Sequence, residues 1–266
     1  MILTRIIRLI PGQVLEYAYY SKIGKTLTTI YDHIYKKETL KAYKISGDLL
    51  MNIDLSKPAE RAIVFEAFEP KITKKFLDLV EEGGVVFDVG AWIGYYTVLA
   101  ARKAGKIISI DADQENCKRI RMNANLMHLS NILIFNIAVG NRPSKAFLQD
   151  GPSSAMHRVV SEGRGKSVEV QTLDTIIEDL KIHKINVLIM DIEGYEFFAL
   201  KGLQNSLSAA IIQNLICEVH PKMLKENGIS ENDIQDLLSR CRYQVTQLHK
   251  ITEFEPYHIY AKPIDR

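Results

Sequence analysis

Short, continuous apolar runs recur along the middle of the chain, and segments with helical spacing separate them. Runs of this kind are typical of parallel strands that are buried on both faces of a sheet. Their alternation with helices predicts an α/β fold with a doubly wound, Rossmann-like sheet. The predicted strands are 85–89, 106–110, 132–137, 167–171, 186–190 and 212–219, and the helices between them are 95–103, 114–127, 173–180 and 196–200.

The two ends of the chain follow other patterns. Upstream, residues 43–54 predict a hairpin that turns at Ser46-Gly47-Asp48, and Pro58 opens a short helix. Downstream, 243–248 and 258–261 pair as a closing antiparallel hairpin. We therefore divide the chain into a small N-terminal helical and hairpin extension, residues 1–68, and an α/β domain, residues 69–266.

The strand at 85–89 runs directly into the turn Gly90-Ala91-Trp92-Ile93-Gly94 and then into a helix. Such a turn presents backbone N–H groups at a helix N-terminus to a ligand, and its glycines allow close approach. It lacks the G-x-G-x-x-G spacing of a dinucleotide site. Asp88, at the end of the strand, would repel phosphates and attract a cation. The predicted ligand is S-adenosylmethionine, which carries an ammonium and a sulfonium and no phosphate.

A second acid follows the next strand. Asp111 stands about twenty residues after the glycine turn, which is the interval expected for an acid that binds ribose. We predict that its carboxylate accepts hydrogen bonds from the ribose hydroxyls. Asp113 is predicted instead to N-cap the helix that begins near Gln114, and capping is also the alternative role for Asp111.

Five segments resemble, in order and spacing, the FkbM family of S-adenosylmethionine-dependent methyltransferases. They are Asp88-Val-Gly90-Ala-Trp-Ile-Gly94, Ala138-Val-Gly140, Thr172-Leu-Asp174, Asp191-Ile-Glu-Gly-Tyr-Glu196 and Glu218-Val-His220. The resemblance implies a class I methyltransferase fold with a terminal antiparallel hairpin, and methylation of a hydroxyl on a sugar, glycolipid or secondary metabolite. Ile189 stands where the family usually has lysine. The cofactor site predicted in this way consists of Asp88, Gly90, Ala91, Gly94, Tyr95, Asp111 and Ala138.

Acids at the carboxyl ends of four of the predicted strands are expected on one rim of the sheet, where open α/β folds bind their ligands. These acids are Asp88, Asp111, Asp191 and Glu218. An acceptor hydroxyl must lose its proton as it attacks the methyl group, and we predict that Asp191, Glu193 or His220 is the base, with Glu193 ranked last. Alternatively, Glu193 is only a turn residue and His220 only ends a strand. Glu196 is assigned to the positive end of a helix dipole. These side chains also suit magnesium or manganese, but their spacing does not establish an ion, and no metal is predicted.

A polar excursion runs from Gly140 to Gly165 and predicts a long loop between strands. Long loops in compact domains often cover or recognise ligands. Ser153 and Ser154 are therefore candidates to contact acceptor or cofactor, and His157 and Arg158 are candidates to bind an anionic substrate. An exposed polar loop without such a role has the same composition.

Composition favours a folded enzyme. The chain has 266 residues, 47% of them hydrophobic and 25% charged, which is enough to bury a full core. Its net charge of +2 is too small to predict a nucleic-acid partner. The three cysteines lack C-x-x-C spacing and are expected to be reduced and buried. We predict a cytoplasmic enzyme with a small-molecule or glycan acceptor. The alternatives are an RNA methyltransferase, suggested by Asn123-Ala-Asn125 on a predicted helix, and a catalytically inert protein that binds S-adenosylmethionine.

The first ten residues are apolar but contain Arg5 and Arg8, and Pro11-Gly12 follows them. They match neither a signal peptide nor a membrane span. A helix here would place Ile2, Ile6, Leu9 and Ile10 on one face. The first expectation is that this face packs on the domain or on a second subunit. The alternative is peripheral docking on a membrane, with the lysines that follow supplying positive charge.

Overall fold

The computed structural model describes residues 35, 39–151, 153–160, 163, 165–249 and 255–264. Its strands are β1 (Lys41–Ser46), β2 (Leu49–Ile53), β3 (Val85–Val89), β4 (Lys106–Ile110), β5 (Ile132–Phe135), β6 (Ala138–Val139), β7 (Ser144–Gln149), β8 (Arg158–Val160), β9 (Lys166–Gln171), β10 (Val187–Met190), β11 (Leu215–Val219), β12 (Tyr243–His249) and β13 (Tyr257–Pro263). Its helices are α1 (Pro58–Val64), α2 (Pro70–Leu79), α3 (Tyr95–Ala100), α4 (Gln114–Leu126), α5 (Leu173–Asp179), α6 (Glu196–Lys201), α7 (Gln204–Ser208), α8 (Pro221–Glu226) and α9 (Glu231–Arg240).

The central sheet has seven strands in the spatial order β12-β13-β11-β10-β3-β4-β5. Strands β5, β4, β3, β10 and β11 are parallel, and β13 runs antiparallel to both β11 and β12. The predicted doubly wound sheet with a closing antiparallel hairpin is therefore confirmed. From β3 the chain builds outward through β4 and β5, and it later returns to the other side of β3 with β10. The switch point of the sheet, where ligands of such folds bind, lies between β3 and β10.

The predicted hairpin near the N-terminus is confirmed as β1 and β2, which pair antiparallel. Met51 and Ile53 are fully buried and share one core with residues of the central sheet and of α2 and α3. Asn123 on α4 joins this hairpin to the glycine turn. Its Oδ1 accepts the N–H of Asn52 at 2.8 Å, and its Nδ2 donates to the carbonyl of Ile93 at 2.9 Å. The asparagine that suggested an RNA methyltransferase thus has a structural role, because it links the hairpin to the glycine turn.

The segment 140–165 was expected to be a long loop, and that expectation is wrong. It contains β7 and β8, which pair with each other. Strand β7 also pairs with β9, and β6 pairs with the other edge of β9 to complete a second sheet of four strands. The predicted strand at 167–171 belongs to this sheet, and the predicted strand at 132–137 ends at Phe135. Along β7 the buried Ala146 and Leu148 alternate with less buried positions. A strand with only one buried face alternates apolar and polar residues, so a search for continuous apolar runs does not recognise it as a strand.

Other expectations concern helix ends, cysteines and the N-terminus. The spacing of Phe76, Leu77 and Val80 predicts a helix from Lys74 to Glu82. The helix found there, α2, begins at Pro70, since proline fits the first turn of a helix, and ends at Leu79. The three cysteines are free and buried, as predicted. The predicted helical face at Ile2–Ile10 lies outside the described residues. Among the residues that are described, no helix is long and apolar enough to cross a membrane.

Candidate active site

The end of β3 packs tightly against the end of β10 at the switch point. Gly90 has a φ of +82°, and a Cβ built on it would lie 1.7 Å from the carbonyl oxygen of Asp191. Only glycine can occupy this position without moving one of the two strands. Gly94, with a φ of +85°, precedes α3, and a Cβ there would come within 3.3 Å of the Ile120 side chain. The two glycines therefore permit the close packing that shapes the turn.

The backbone N–H groups of the turn bind within the protein. Gly90 and Ala91 both donate to the carbonyl of Ile110, at 2.8 and 3.0 Å. The N–H of Trp92 donates to Oδ2 of Asp111 at 2.8 Å. The expectation that the turn offers these groups to a ligand is wrong at these three positions, because the Ile110 carbonyl and the Asp111 carboxylate lie beside the turn and accept them. What the turn does is fix the position of Asp111.

Asp111 is buried and held by several donors. Its Oδ1 accepts the N–H of Asp113 at 2.8 Å and the Nδ2 of Asn116 at 3.2 Å. Burial raises the pKa of its carboxyl to about 7, although these hydrogen bonds oppose the shift. Asp113 caps α4 by accepting the N–H of Glu115, so its predicted capping role is confirmed.

A cleft opens at the carboxyl ends of β3 and β10. Its walls are acidic and aromatic, and there is no lysine or arginine among the described residues that line it. Asp88 is buried, accepts a hydrogen bond from Thr97 Oγ1 at 2.5 Å, and has its pKa raised to about 6 by burial. The predicted residues Asp88, Gly90, Ala91, Tyr95 and Asp191 line the cleft, together with Phe68, Glu69, Trp92, Tyr96, Ala155 and His258 among others. Gly94, Asp111 and Ala138 are not lining residues, and Ala138 belongs to β6 of the small sheet.

A histidine surrounded by carboxylates follows β11. His220 is 5% exposed, and its Nδ1 lies 2.8 Å from Oε1 of Glu196. Its Nε2 lies 3.4 Å from Oε2 of Glu193 and 3.8 Å from Oδ1 of Asp191. The structure thus brings together the three residues predicted to act on the acceptor. Glu196 lies in the first turn of α6 as expected, but it is fully buried and also accepts the N–H of Gly194 at 2.8 Å. Its contact with His220 has no signal in the sequence.

Protonation within this group is shifted. Burial alone would lower the pKa of His220, but the carboxylate of Glu196 raises it well above its ordinary value. Burial raises the pKa of Glu193 to about 7. Glu193 also has a φ of +51°, a left-handed conformation that is strained for a residue with a side chain. Strained residues of this kind cluster at functional sites.

A second group of titratable side chains was missed by the sequence analysis except for Glu218. Glu218 on β11 and His258 on β13 are cross-strand partners, and their Oε2 and Nε2 atoms lie 3.9 Å apart. The Nε2 of His258 is 3.7 Å from Oε2 of Glu69, which also accepts the hydroxyl of Tyr96 at 2.6 Å. Burial raises the pKa of both Glu69 and Glu218. Nothing local marks Glu69 or His258, because more than a hundred residues separate them in the chain.

The segment around Ser154 lies against the glycine turn. Trp92 Nε1 donates to Ser154 Oγ at 3.0 Å, and Asn116 Nδ2 donates to the Ser154 carbonyl at 3.2 Å. The predicted anion-binding residues of this segment are paired with carboxylates instead. Nδ1 of His157 lies 3.0 Å from Oδ2 of Asp113, and Arg158 lies 3.0 Å from Glu226. These contacts speak against an anion site there.

Sequence comparison identifies the family. The profile described as the methyltransferase FkbM domain matches residues 88–245, which is more than half of the chain. The chain belongs to the FkbM methyltransferase family. The match includes Asp88, the glycine turn, Asp191 and His220, and it confirms the predicted family. With the family, the predicted cofactor, S-adenosylmethionine, is confirmed as well.

Individual proteins give further likenesses. Hexuronic acid methyltransferase AglP of Haloferax volcanii is 24% identical over 192 residues, which are 70% of this chain and 75% of that protein. Among solved structures, TYW2 of M. jannaschii in complex with AdoMet has a TM-score of 0.44 at 14% identity and covers 86% of this chain and 88% of its own. An rRNA methylase from Streptococcus thermophilus has a TM-score of 0.48 at 8% identity, and the match covers 73% of this chain and 95% of that protein. These TM-scores are too low to carry an argument about activity.

Proposed function

We propose that this FkbM methyltransferase transfers the methyl group of S-adenosylmethionine to an oxygen of a sugar-containing acceptor. The observation that carries the proposal is the acidic cleft at the switch point of the sheet. Glu69, Asp88 and Asp191 contribute carboxylates to its lining, and no lysine or arginine is among the described lining residues. Such a cleft fits a cofactor that carries an ammonium and a sulfonium, and it disfavours a phosphate-bearing one.

On the cofactor side, Asp111 accepts the ribose hydroxyls, and Asp88 contributes negative charge near the cationic end of the cofactor. Trp92 and Tyr95 add aromatic walls to the same cleft, and aromatic faces attract cations such as a sulfonium. Gly90 and Gly94 let the turn pack closely, and Ala138 follows β5 at the same rim of the sheet. These assignments use residues whose positions are fixed by hydrogen bonds and packing rather than by flexible loops.

On the acceptor side, Asp191, Glu193 and His220 bind the acceptor oxygen and promote the loss of its proton. Methyl transfer is a direct displacement, so the protein must hold the attacking oxygen about 3 Å from the methyl carbon and keep water away. These three side chains follow β10 and β11, on the flank of the sheet opposite to Asp111. A sugar-containing acceptor is supported by the similarity to a hexuronic acid methyltransferase.

Transfer of a labelled methyl group tests the proposal. The protein is incubated with tritium-labelled S-adenosylmethionine and, in separate reactions, with uronic-acid glycosides, neutral glycosides and an RNA fraction. We expect label in a glycoside fraction and none in RNA. Label in RNA alone would replace the proposal with the RNA methyltransferase alternative. Binding of S-adenosylhomocysteine without transfer to any fraction would favour a catalytically inert binding protein.

A further inference from the structure

Two carboxylate oxygens in the group around His220 are buried and lack hydrogen-bond partners. They are Oδ1 of Asp191 and Oε2 of Glu196, and no other carboxylate oxygen in the described part of the chain shares this condition. A buried polar atom without a partner is costly, so it calls for a missing ligand or a functional reason. A positively charged ligand beside Nε2 of His220 would satisfy Oδ1 of Asp191, and Glu196 lies on the opposite, Nδ1 side of the ring.

The orientation of His220 is that of a metal ligand. Its Nδ1 is hydrogen-bonded to the fully buried Glu196, which leaves Nε2 directed toward Glu193 and Asp191. Histidines that bind metals usually donate their other ring N–H to a carboxylate in this way, which fixes the tautomer and the ring. The distances from Nε2 to the two acids, 3.4 and 3.8 Å, exceed the 2.7–2.9 Å typical of a charge-assisted hydrogen bond.

The same distances suit a shared cation. Ligands bound at about 2.0–2.2 Å around one ion lie about 3–3.5 Å from each other. The distance between Nε2 of His220 and Oε2 of Glu193 falls in this range, and Oδ1 of Asp191 lies a few tenths of an ångström beyond it, at 3.8 Å from Nε2. Ligand atoms of Asp191, Glu196 and His220 also lie within 4.8 Å of one another.

We propose that Nε2 of His220, Oε2 of Glu193 and Oδ1 of Asp191 bind a divalent transition-metal cation, with Glu196 orienting the histidine. A mixed nitrogen and oxygen ligand set favours ions such as Mn²⁺ over calcium. Spacing in the sequence alone does not predict this site, because the contact between Glu196 and His220 and the buried oxygens without hydrogen-bond partners depend on the folded structure. The inference rests on the proposed function in one respect: an ion here would bind the acceptor oxygen and lower the pKa of an acceptor hydroxyl.

Binding of Mn²⁺ to the full chain tests the site, followed by the loss of the electron paramagnetic resonance signal of free Mn²⁺. The variants are His220→Gln, Glu193→Gln and Glu196→Gln, with His258→Gln as the control from the neighbouring acidic group. We expect one bound ion, at least a hundredfold weaker binding in His220→Gln and Glu193→Gln, and an intermediate loss of about 10- to 100-fold in Glu196→Gln. His258→Gln should bind Mn²⁺ like the unmodified chain.

Thermal stabilisation by S-adenosylhomocysteine, measured in every variant, shows that each one is folded and separates the two proposals. Stabilisation without Mn²⁺ binding overturns the metal site and leaves the proposed methyltransferase intact. Mn²⁺ binding that survives His220→Gln, or that is lost in His258→Gln alone, overturns the ligand assignment. Absence of any effect of S-adenosylhomocysteine on the unmodified chain contradicts the proposed function instead.

Discussion

Replacing Asp111 with asparagine tests the cofactor site, because it removes one negative charge and changes the side-chain volume little. The carboxylate already accepts the N–H groups of Trp92 and Asp113. An asparagine keeps one acceptor oxygen and places an NH₂ group where the other oxygen stood. The ribose should therefore lose about one charge-assisted hydrogen bond, worth about 1.5–3 kcal/mol. The affinity for S-adenosylhomocysteine should fall by about 10- to 150-fold.

The pH dependence of binding follows from the same burial. With a pKa of about 7, the Asp111 carboxyl is mostly ionised at pH 8 and mostly protonated at pH 6. If the ribose hydroxyls bind the ionised form, affinity should rise about tenfold between pH 6 and pH 8 and then level off. In Asp111→Asn this part of the pH dependence should disappear.

Folding stability should respond to pH in the opposite direction. Burial raises the pKa of Asp111 in the folded chain from 3.8 to about 7, so the neutral carboxyl is favoured by the fold. The resulting stabilisation is complete below about pH 4 and is lost as the pH rises through about 7, and it amounts to about 4 kcal/mol. Urea unfolding at several pH values should show this loss in the unmodified chain and not in Asp111→Asn.

Isothermal titration calorimetry with S-adenosylhomocysteine measures the affinities. The matched control is Asp174→Asn, because Asp174 also accepts two backbone N–H groups, those of Asn205 and Ser206, but lies on α5 rather than after β4 beside the glycine turn. The control should bind as the unmodified chain does. Unchanged affinity in Asp111→Asn, or an equal loss in both variants, would refute the assignment of the ribose to Asp111.

Three other substitutions separate structural from chemical roles. Asp191→Asn should lower turnover by about 10²- to 10⁴-fold. Its affinity for S-adenosylhomocysteine should change little, because this product lacks the sulfonium charge that the Asp191 carboxylate would face; a loss of affinity as large as the loss of turnover would instead assign Asp191 to cofactor binding. Gly90→Ala should prevent the native turn, because its Cβ would meet the carbonyl oxygen of Asp191. In Gly47→Ala the new Cβ meets no atom within 4 Å, and the free energy of unfolding should fall by only about 1–2 kcal/mol. A similar loss of stability in the two variants, measured by thermal unfolding, would contradict this reasoning. Arg119→Leu leaves the carboxylate of Glu60 buried without the guanidinium that lies 2.7 Å from it. The free energy of unfolding, measured in urea, should fall by about 3–5 kcal/mol. An unchanged midpoint of urea unfolding would argue against this ion pair as a source of stability.

The central sheet could be predicted from the sequence because its strands are apolar on both faces. In β3, β4 and β10 the apolar residues are consecutive, so the local sequence is enough to predict that these strands are buried. The cap at Asp113 likewise depends only on its immediate neighbours. The strand β7 could not be recognised in the same way, since only one of its faces is buried and its pattern resembles that of a polar loop.

The candidate site was predicted in part, and the missing parts share one physical reason. Asp191 and His220 follow strands whose carboxyl ends meet at one rim, so their proximity follows from topology. The burial of Glu196 and the pairing of Glu69 with His258 depend on side-chain packing between distant segments. The use of the turn's N–H groups by Ile110 likewise depends on how closely two strands approach.

A crystal structure of the full chain with S-adenosylhomocysteine tests the central claim most directly, because it shows where each part of the cofactor lies. The account predicts that the ribose hydroxyls bind the Asp111 carboxylate and that the sulfur lies in the cleft between Asp88 and Asp191. It also predicts that the open side of the sulfur faces Glu193 and His220. A ribose bound away from Asp111, or a sulfur outside this cleft, would contradict the account.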